Sequence, residues 1–408
     1  MRGMTNRLTI GERIVWYRRR RGMSQEVLAG LVSRTVDWLS KVENSRIELD
    51  RLSVITALAD ALDVALGDLI AEPSLMEWTT DSGTRTIPAL RSALMDYRLI
   101  TPFGGSPTEQ PAPDADALRR DMAYLWDAYQ NARFGHVTGR LPEFLGRVLT
   151  ASQLATGDNL AKIRATLALT YQLTAVQLTK LGEAELAWIA AERGLTAARE
   201  TGDPVVIGSL YRSVTHALLS TGRFSEAVRL TENAAGYLEP ALRDASPDLL
   251  SVYGTLFLAG SMAAARADDA VSTRAFLNTA DETARRLGHD ANHMWTAFGP
   301  TNVTIHRVAT ATELGDVQVA IDLGPQVDTS ALPMERRVRH SLEVARAYSA
   351  WNRLDDAVDT LLAAERMAPE QVRYHMLGRQ LVLSWIRKQR GKPSSTLIDL
   401  ARRLNVLD

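Results

Sequence analysis

An all-α fold is predicted for this 408-residue chain by three observations. Apolar residues recur three and four positions apart, strict apolar–polar alternation is nearly absent, and the helix formers Ala, Leu, Arg and Glu dominate between the breaks. With 46% apolar and 23% charged residues the chain can build two or three packed cores, which excludes a disordered or fibrous protein.

The first predicted helix runs from Ile10 to Arg21, offers Ile14 and Tyr17 to a core, and ends on Arg18, Arg19, Arg20 and Arg21. Those cations suit the negative end of a helix and serve either as a solvated terminus or as phosphate attractors. SQEVLAGL at 24–31 makes a short second helix with Ser24 as N-cap and Gln25 and Glu26 in its first turn. After a break at Val32 and Ser33, TVDWLSKVE at 35–43 makes a third, capped by Thr35 and burying Leu39 and Val42. DRLSVITALADAL at 50–62 and GDLI at 67–70 complete a small bundle between Leu8 and Ile70. Residues 1–51 hold eleven Lys and Arg against six Asp and Glu, although the whole chain carries a net charge of −1. The amino-terminal end is therefore a local basic footprint suited to nucleic acid.

Pro73, Ser74, Ser82, Gly83 and Pro88 then mark a loose connection, 89–99 allows one helix, and TPFGGSPTEQPAPDAD at 101–116 reads as linker. The predicted units are a bundle at 1–72, a connection at 73–117 and a helical array at 118–408. Within the array a break residue is followed five positions later by Ala and then an apolar residue. The pattern occurs at Gly182/Ala187, Gly222/Ala227, Ala265/Ala270, Gly315/Ala320 and Asn352/Ala357, the spacing of stacked helix hairpins. Residues 118–157 are expected to form a divergent first hairpin interrupted by Pro142.

The bundle resembles the XRE, or phage-repressor, helix-turn-helix family. The likeness rests on Arg18, Gly22, Ser24, Gln25, Glu26, Leu28 and Ala29, on the WLSKVE segment, and on the LSVITALADAL-to-GDLI tail, in the family's order. It implies a DNA-binding head whose third helix enters the major groove of double-stranded DNA. Val36, Asp37 and Lys41 then become base-facing candidates. Gln25, Arg18, Asn44 and Arg46 become phosphate candidates, with Ser24 and Thr35 at the helix starts beside them. Asp37 either accepts from cytosine or is a dipole-favoured helix charge, and Trp38 stands either at the groove wall or inside the bundle. One such head reads few base pairs, so a homodimer on an inverted-repeat operator is expected.

The array resembles the tetratricopeptide repeat, best in its last unit, where Ala345, Tyr348, Asn352, Ala357, Leu361, Ala364 and Pro369 fall at that family's positions. The resemblance implies a concave groove lined by the first helix of each hairpin. Its positions select Gln172, Arg212, His216, Asn302, Arg339 and Arg346, a polar and partly cationic set suited to a peptide or small acidic ligand. In HDANHMWTAFGPTNVTIH at 289–306, Gly299 and Pro300 are expected to interrupt a helix. This makes Trp295, Asn302 and His306 either a ligand patch or the neighbours of a packing kink. His289 and His293 have metal-like spacing without further ligands, so no metal site is expected.

The chain contains no cysteine, which removes disulfides, thiolate metal sites and cysteine nucleophiles. No secretory leader, membrane span, phosphate-binding glycine loop or hydrolase motif is read, so a cytoplasmic protein without cofactor or catalysis is expected. The layout is similar to the peptide-responsive regulators of Gram-positive bacteria, and an Arg- and Ala-rich, Lys-poor chain suits a GC-rich bacterial genome. The alternative is an adaptor whose array grips a protein partner while the head places the complex on DNA.

Overall fold

The structure is a computed structural model describing residues 9–47, 49, 52–62, 64, 69, 87–95, 114–388 and 393–407. Of GDLI only Leu69 is described, and the features expected at 73–86 and 101–113 lie outside the described residues. Among the described residues there is no strand, only one isolated bridge between Ala291 and Phe298.

Among the described residues the amino-terminal bundle includes α1 (Ile10–Arg20), α2 (Gln25–Leu31), α3 (Val36–Glu43) and α4 (Leu52–Ala61). Thr9 and Glu12 close a reciprocal capping box on α1, while Ser24 and Thr35 cap α2 and α3, so the expected starts hold. Ile14, Leu28, Leu39, Val42, Leu58, Leu62 and Leu69 share one core. Gly11 brings α1 against the end of α3: a Cβ there would stand 2.2 Å from the Val42 carbonyl oxygen.

Helix α5 (Ile87–Leu94) buries Leu90 and Leu94 in the core of the array. Six antiparallel hairpins follow. They are α6 (Ala115–Gln130) with α7 (Phe134–Leu154), α8 (Asp158–Lys180) with α9 (Ala184–Arg199), and α10 (Pro204–Ser220) with α11 (Phe224–Leu238). The other three are α12 (Pro247–Arg266) with α13 (Ala270–Leu287), α14 (Pro300–Leu314) with α15 (Val317–Leu323), and α16 (Met334–Ala350) with α17 (Leu354–Met367). Helices α18 (Pro369–Tyr374), α19 (Met376–Lys388) and α20 (Ser395–Arg403) close the array. By length and composition α12 could cross a membrane, but 89% of its apolar window is buried against neighbouring helices, as in a core helix.

Each hairpin turns on a residue of left-handed backbone: Ala132, Gly182, Gly222, Asp268, Gly315 and Asn352, with φ between 58° and 85°. Five positions later Val137, Ala187, Ala227, Thr273, Ala320 and Ala357 are all buried at the contact with the first helix. The fourth hairpin thus differs from its expected register. Ala265 lies inside α12, the turn falls on Asp268, and Asp269 caps α13 through the Val271 and Ser272 N–H groups, so Thr273 replaces Ala270 as the buried small residue.

Two proline expectations also change. Pro142 sits inside a continuous α7, whose preceding turn is braced by Thr138 donating to Phe134 and Gln177 donating to Thr138. Pro300 does not kink a helix. It is the first residue of α14, where no N–H is needed, and Asp290 caps that end by accepting from the Thr301 amide and hydroxyl at 3.0 and 2.6 Å.

The array winds far enough for distant hairpins to meet. Lys180 pairs with Glu335, the Gly135 amide donates to Glu370 at 2.5 Å, and Gln130 and Asn292 exchange amide hydrogen bonds at 2.9 and 2.7 Å.

Candidate functional site

In the amino-terminal bundle the exposed face of α3 carries Val36, Asp37 and Lys41, and the exposed Asn44 and Arg46 follow its end. Leu39 and Val42 hold the opposite face in the core. Lys41 and Asp37 form an exposed ion pair at 2.6 Å, so the cation expected to face bases is matched one turn away by a carboxylate. Arg34 lies over the half-buried Trp38 ring, 5.5 Å from its centre, placing that ring at the margin between core and surface. Asn44 donates to the Ser40 carbonyl at 2.7 Å and so closes the helix end.

Arg18 requires correction as a phosphate candidate. It is buried, its guanidinium donates twice to Glu43 at 2.5 and 2.8 Å, and it donates a third time to the Met23 carbonyl at 2.9 Å. The Glu43 hydrogen bond holds the Arg18 pKa above its ordinary value. Gln25 also donates to Glu43, at 2.7 Å. The hub Glu43, missed from sequence, therefore ties α1, α2 and the end of α3 together and fixes how α3 is presented.

The array brings several groove candidates together on its interior. His216 feels Arg212 one turn away on α10, Arg336 and Arg339 on α16, and His306 on α14. Burial is the largest cause that holds His216 well below the ordinary histidine range, followed by those cations. Burial and Arg336 lower His306 to about 3, and His306 Nδ1 lies 2.9 Å from the Asn302 carbonyl. His375 lies in the same field and is likewise held neutral by burial beside Arg339 and Lys180. Lys180, Arg336 and His375 were not singled out from sequence. Arg336 was legible only as one more charge in MERRVRH, and nothing local to Lys180 or His375 announces that the winding carries them inward.

Three other candidates do not line this interior as free ligand contacts. Gln172 is fully buried and donates to the Ser209 carbonyl and hydroxyl at 2.9 and 2.7 Å, joining α8 to α10. Arg346 is committed to Glu313 and Glu343 at 3.3 and 2.8 Å. Trp295 lies in the loop before α14 and stacks on Trp126, so it does not share a helical face with Asn302 and His306. Asn302 is fully buried with its Oδ1 unpartnered, and Arg339 lies 3.5 Å from Glu343. His293 Nδ1 lies 2.7 Å from Asp248. Among the described residues no group of three or more His, Cys, Asp or Glu is arranged to hold a metal ion.

A head that exposes its third helix, followed by stacked hairpins, has the layout of a helix-turn-helix domain before a tetratricopeptide-like array. Residues 9–72 match the family model of the helix-turn-helix domain. No curated protein matches the chain. Among solved structures, aspartyl phosphate phosphatase F from Bacillus subtilis is 12% identical, covers 90% of this chain and 95% of its own, and superposes with a TM-score of 0.46. BtubC from P. vanneervenii is 14% identical over 68% of this chain and 95% of its own, with a TM-score of 0.39. PlcR of Bacillus thuringiensis, solved with the peptide PapR7 and DNA, is 12% identical over 68% of this chain and 95% of its own, with a TM-score of 0.29.

Proposed function

We propose that the chain is a bacterial transcription regulator that binds an inverted-repeat operator as a homodimer and senses a peptide or small ligand on the interior of its array. The observation that carries the DNA reading is the presentation of α3. Glu43 anchors its buried end to Arg18 and Gln25, while Val36, Asp37 and Lys41 face outward beside Asn44 and Arg46. Val36, Asp37 and Lys41 meet base edges in this reading. Ser24, Gln25, Thr35, Asn44 and Arg46 face the phosphates, and Trp38 borders the groove wall. The sensing reading is supported by the polar interior that gathers Arg212, His216, His306 and Arg339 from three different hairpins. A ligand that favours one winding of the array would change the spacing of two heads and so their fit to half-sites.

Genome-wide footprinting followed by anisotropy titration of the recovered fragments tests the reading. Binding should fall steeply with salt, and Lys41→Ala should change sequence preference. Binding that ignores both salt and the identity of residue 41 would remove it.

A further inference from the structure

The carboxylates of the array interior are already spoken for. Glu335 pairs with Lys180. Glu313 is shared by Arg266 and Arg346 at 3.2 and 3.3 Å, and Glu343 by Arg339 and Arg346 at 3.5 and 2.8 Å. Arg212 and Arg336 stand beside these pairs without one of their own. Arg212 is only 8% exposed, no carboxylate of the described residues lies within ion-pair distance of it, and its Nε has no hydrogen-bond partner. The Nε of Arg336 is buried and unpartnered in the same way. The two are close enough that Arg336 is the main charge acting on Arg212, whose own pKa is lowered to about 10 by burial and by that neighbour.

A buried cation and a half-buried one, adjacent and each with an unused Nε donor, are unfavourable in a resting protein. Each loses hydration and repels the other, and a neutral side chain of similar length would pack without either cost. Such costs concentrate where a ligand repays them. A guanidinium fork matches the two oxygens of a carboxylate or phosphate, and Arg212 and Arg336 approach from two helices, α10 and α16. His216, held neutral, keeps one N–H donor for the same group, whereas neutral His306 spends its single N–H on the Asn302 carbonyl. The burial of Arg212 suits a small molecule and not a macromolecule.

Building on the sensing reading above, we infer that the array interior binds a small organic anion through Arg212 and Arg336, with a carboxylate or phosphate group seated between the two guanidinium forks. Arg339, half engaged by Glu343, borders the site.

The test uses the full-length protein without DNA, titrated with citrate and with inorganic phosphate against sodium chloride of equal ionic strength, read by thermal shift and calorimetry. At least one anion should bind saturably and raise the melting temperature. Comparison of the two arms separates carboxylate from phosphate chemistry. Arg336→Gln and Arg212→Gln should weaken binding at least about tenfold, the loss expected for a charged hydrogen bond. Arg223→Gln, at an exposed pair with Glu226, should bind as the unmodified chain does. The unliganded Arg336→Gln protein should melt no lower than the parent, because it relieves repulsion; this readout stands even if Arg212→Gln fails to fold. Neither anion outperforming chloride, equal binding by Arg336→Gln, or a clearly lowered unliganded melt would overturn the inference. Operator affinity measured in parallel separates the two proposals: bound anion with unchanged DNA affinity keeps this site and removes its role in sensing.

Discussion

Trp126 and Trp295 stack face to face, ring centres 5.4 Å apart and planes 10° from parallel, joining the first hairpin of the array to the loop before α14. That loop holds Met294, Trp295 and Ala297 at φ of 49°, 52° and 50°, a left-handed backbone that costs non-glycine residues about 1 kcal/mol or more each. Such strain persists where surrounding contacts outweigh it. Here those contacts are the stack, the Gln130–Asn292 exchange and Gln130 donating to the Trp295 carbonyl at 3.1 Å. Trp295→Ala should destabilise the array by about 2 kcal/mol, less than a fully buried tryptophan because the ring is partly exposed. Urea melts give the loss. Hydrogen exchange should quicken first at residues 290–298, and a uniform change along the array would refute the latch.

Arg18 and Glu43 form a buried pair, so removing either one strands a charge. Arg18→Met or Glu43→Gln should cost about 3 to 5 kcal/mol. DNA affinity would then fall because α3 is no longer held, not because a phosphate contact is gone. The double variant Arg18→Met with Glu43→Leu separates these explanations. It should recover protected amides in α1 to α3 together with most DNA affinity, whereas a direct phosphate role predicts recovered folding without recovered binding.

Asp37 and Lys41 pair at the surface, where such an ion pair is worth only about 0.3 to 0.5 kcal/mol to the helix. The stability of Asp37→Ala should therefore barely move. Its DNA binding should change far more, since removing the carboxylate frees Lys41 and lifts its repulsion from phosphates. Affinity for random duplex should rise, with the slope of log affinity against log salt steeper by about 0.9. An unchanged slope would place both residues outside the interface.

The helix starts at Ser24 and Thr35 and the hairpin turns at Gly182, Gly222, Gly315 and Asn352 were legible because caps and left-handed turns are written in local residue types. The turn at Asp268 was misplaced because an aspartate resembles neither glycine nor a helix end, while the nearby alanines imitate the pattern. Arg18 was misread because a basic run says nothing about which arginine turns inward; that depends on Glu43, two helices away. Lys180, Arg336 and His375 stayed hidden for a related reason. Their meeting depends on how far the hairpins wind, a sum of small rotations that no window of sequence records.

His306 gives the array a pH dependence whose sign is fixed. The unfolded chain protonates it near pH 6.5, whereas burial and the neighbouring Arg336 hold the folded group to about 3. Between those values the unfolded state binds the extra proton, so stability is complete above pH 6.5 and declines as pH falls toward 3. From pH 7 to pH 5 this one group should cost about 2 kcal/mol. His306→Gln, which cannot titrate, should remove that share of the decline. His216 and His375, lowered for the same cause, would sustain the remainder. Urea midpoints of the two proteins at pH 7, 6 and 5 provide the measurement. Parallel lines for parent and variant would show that His306 is not held neutral in the folded array.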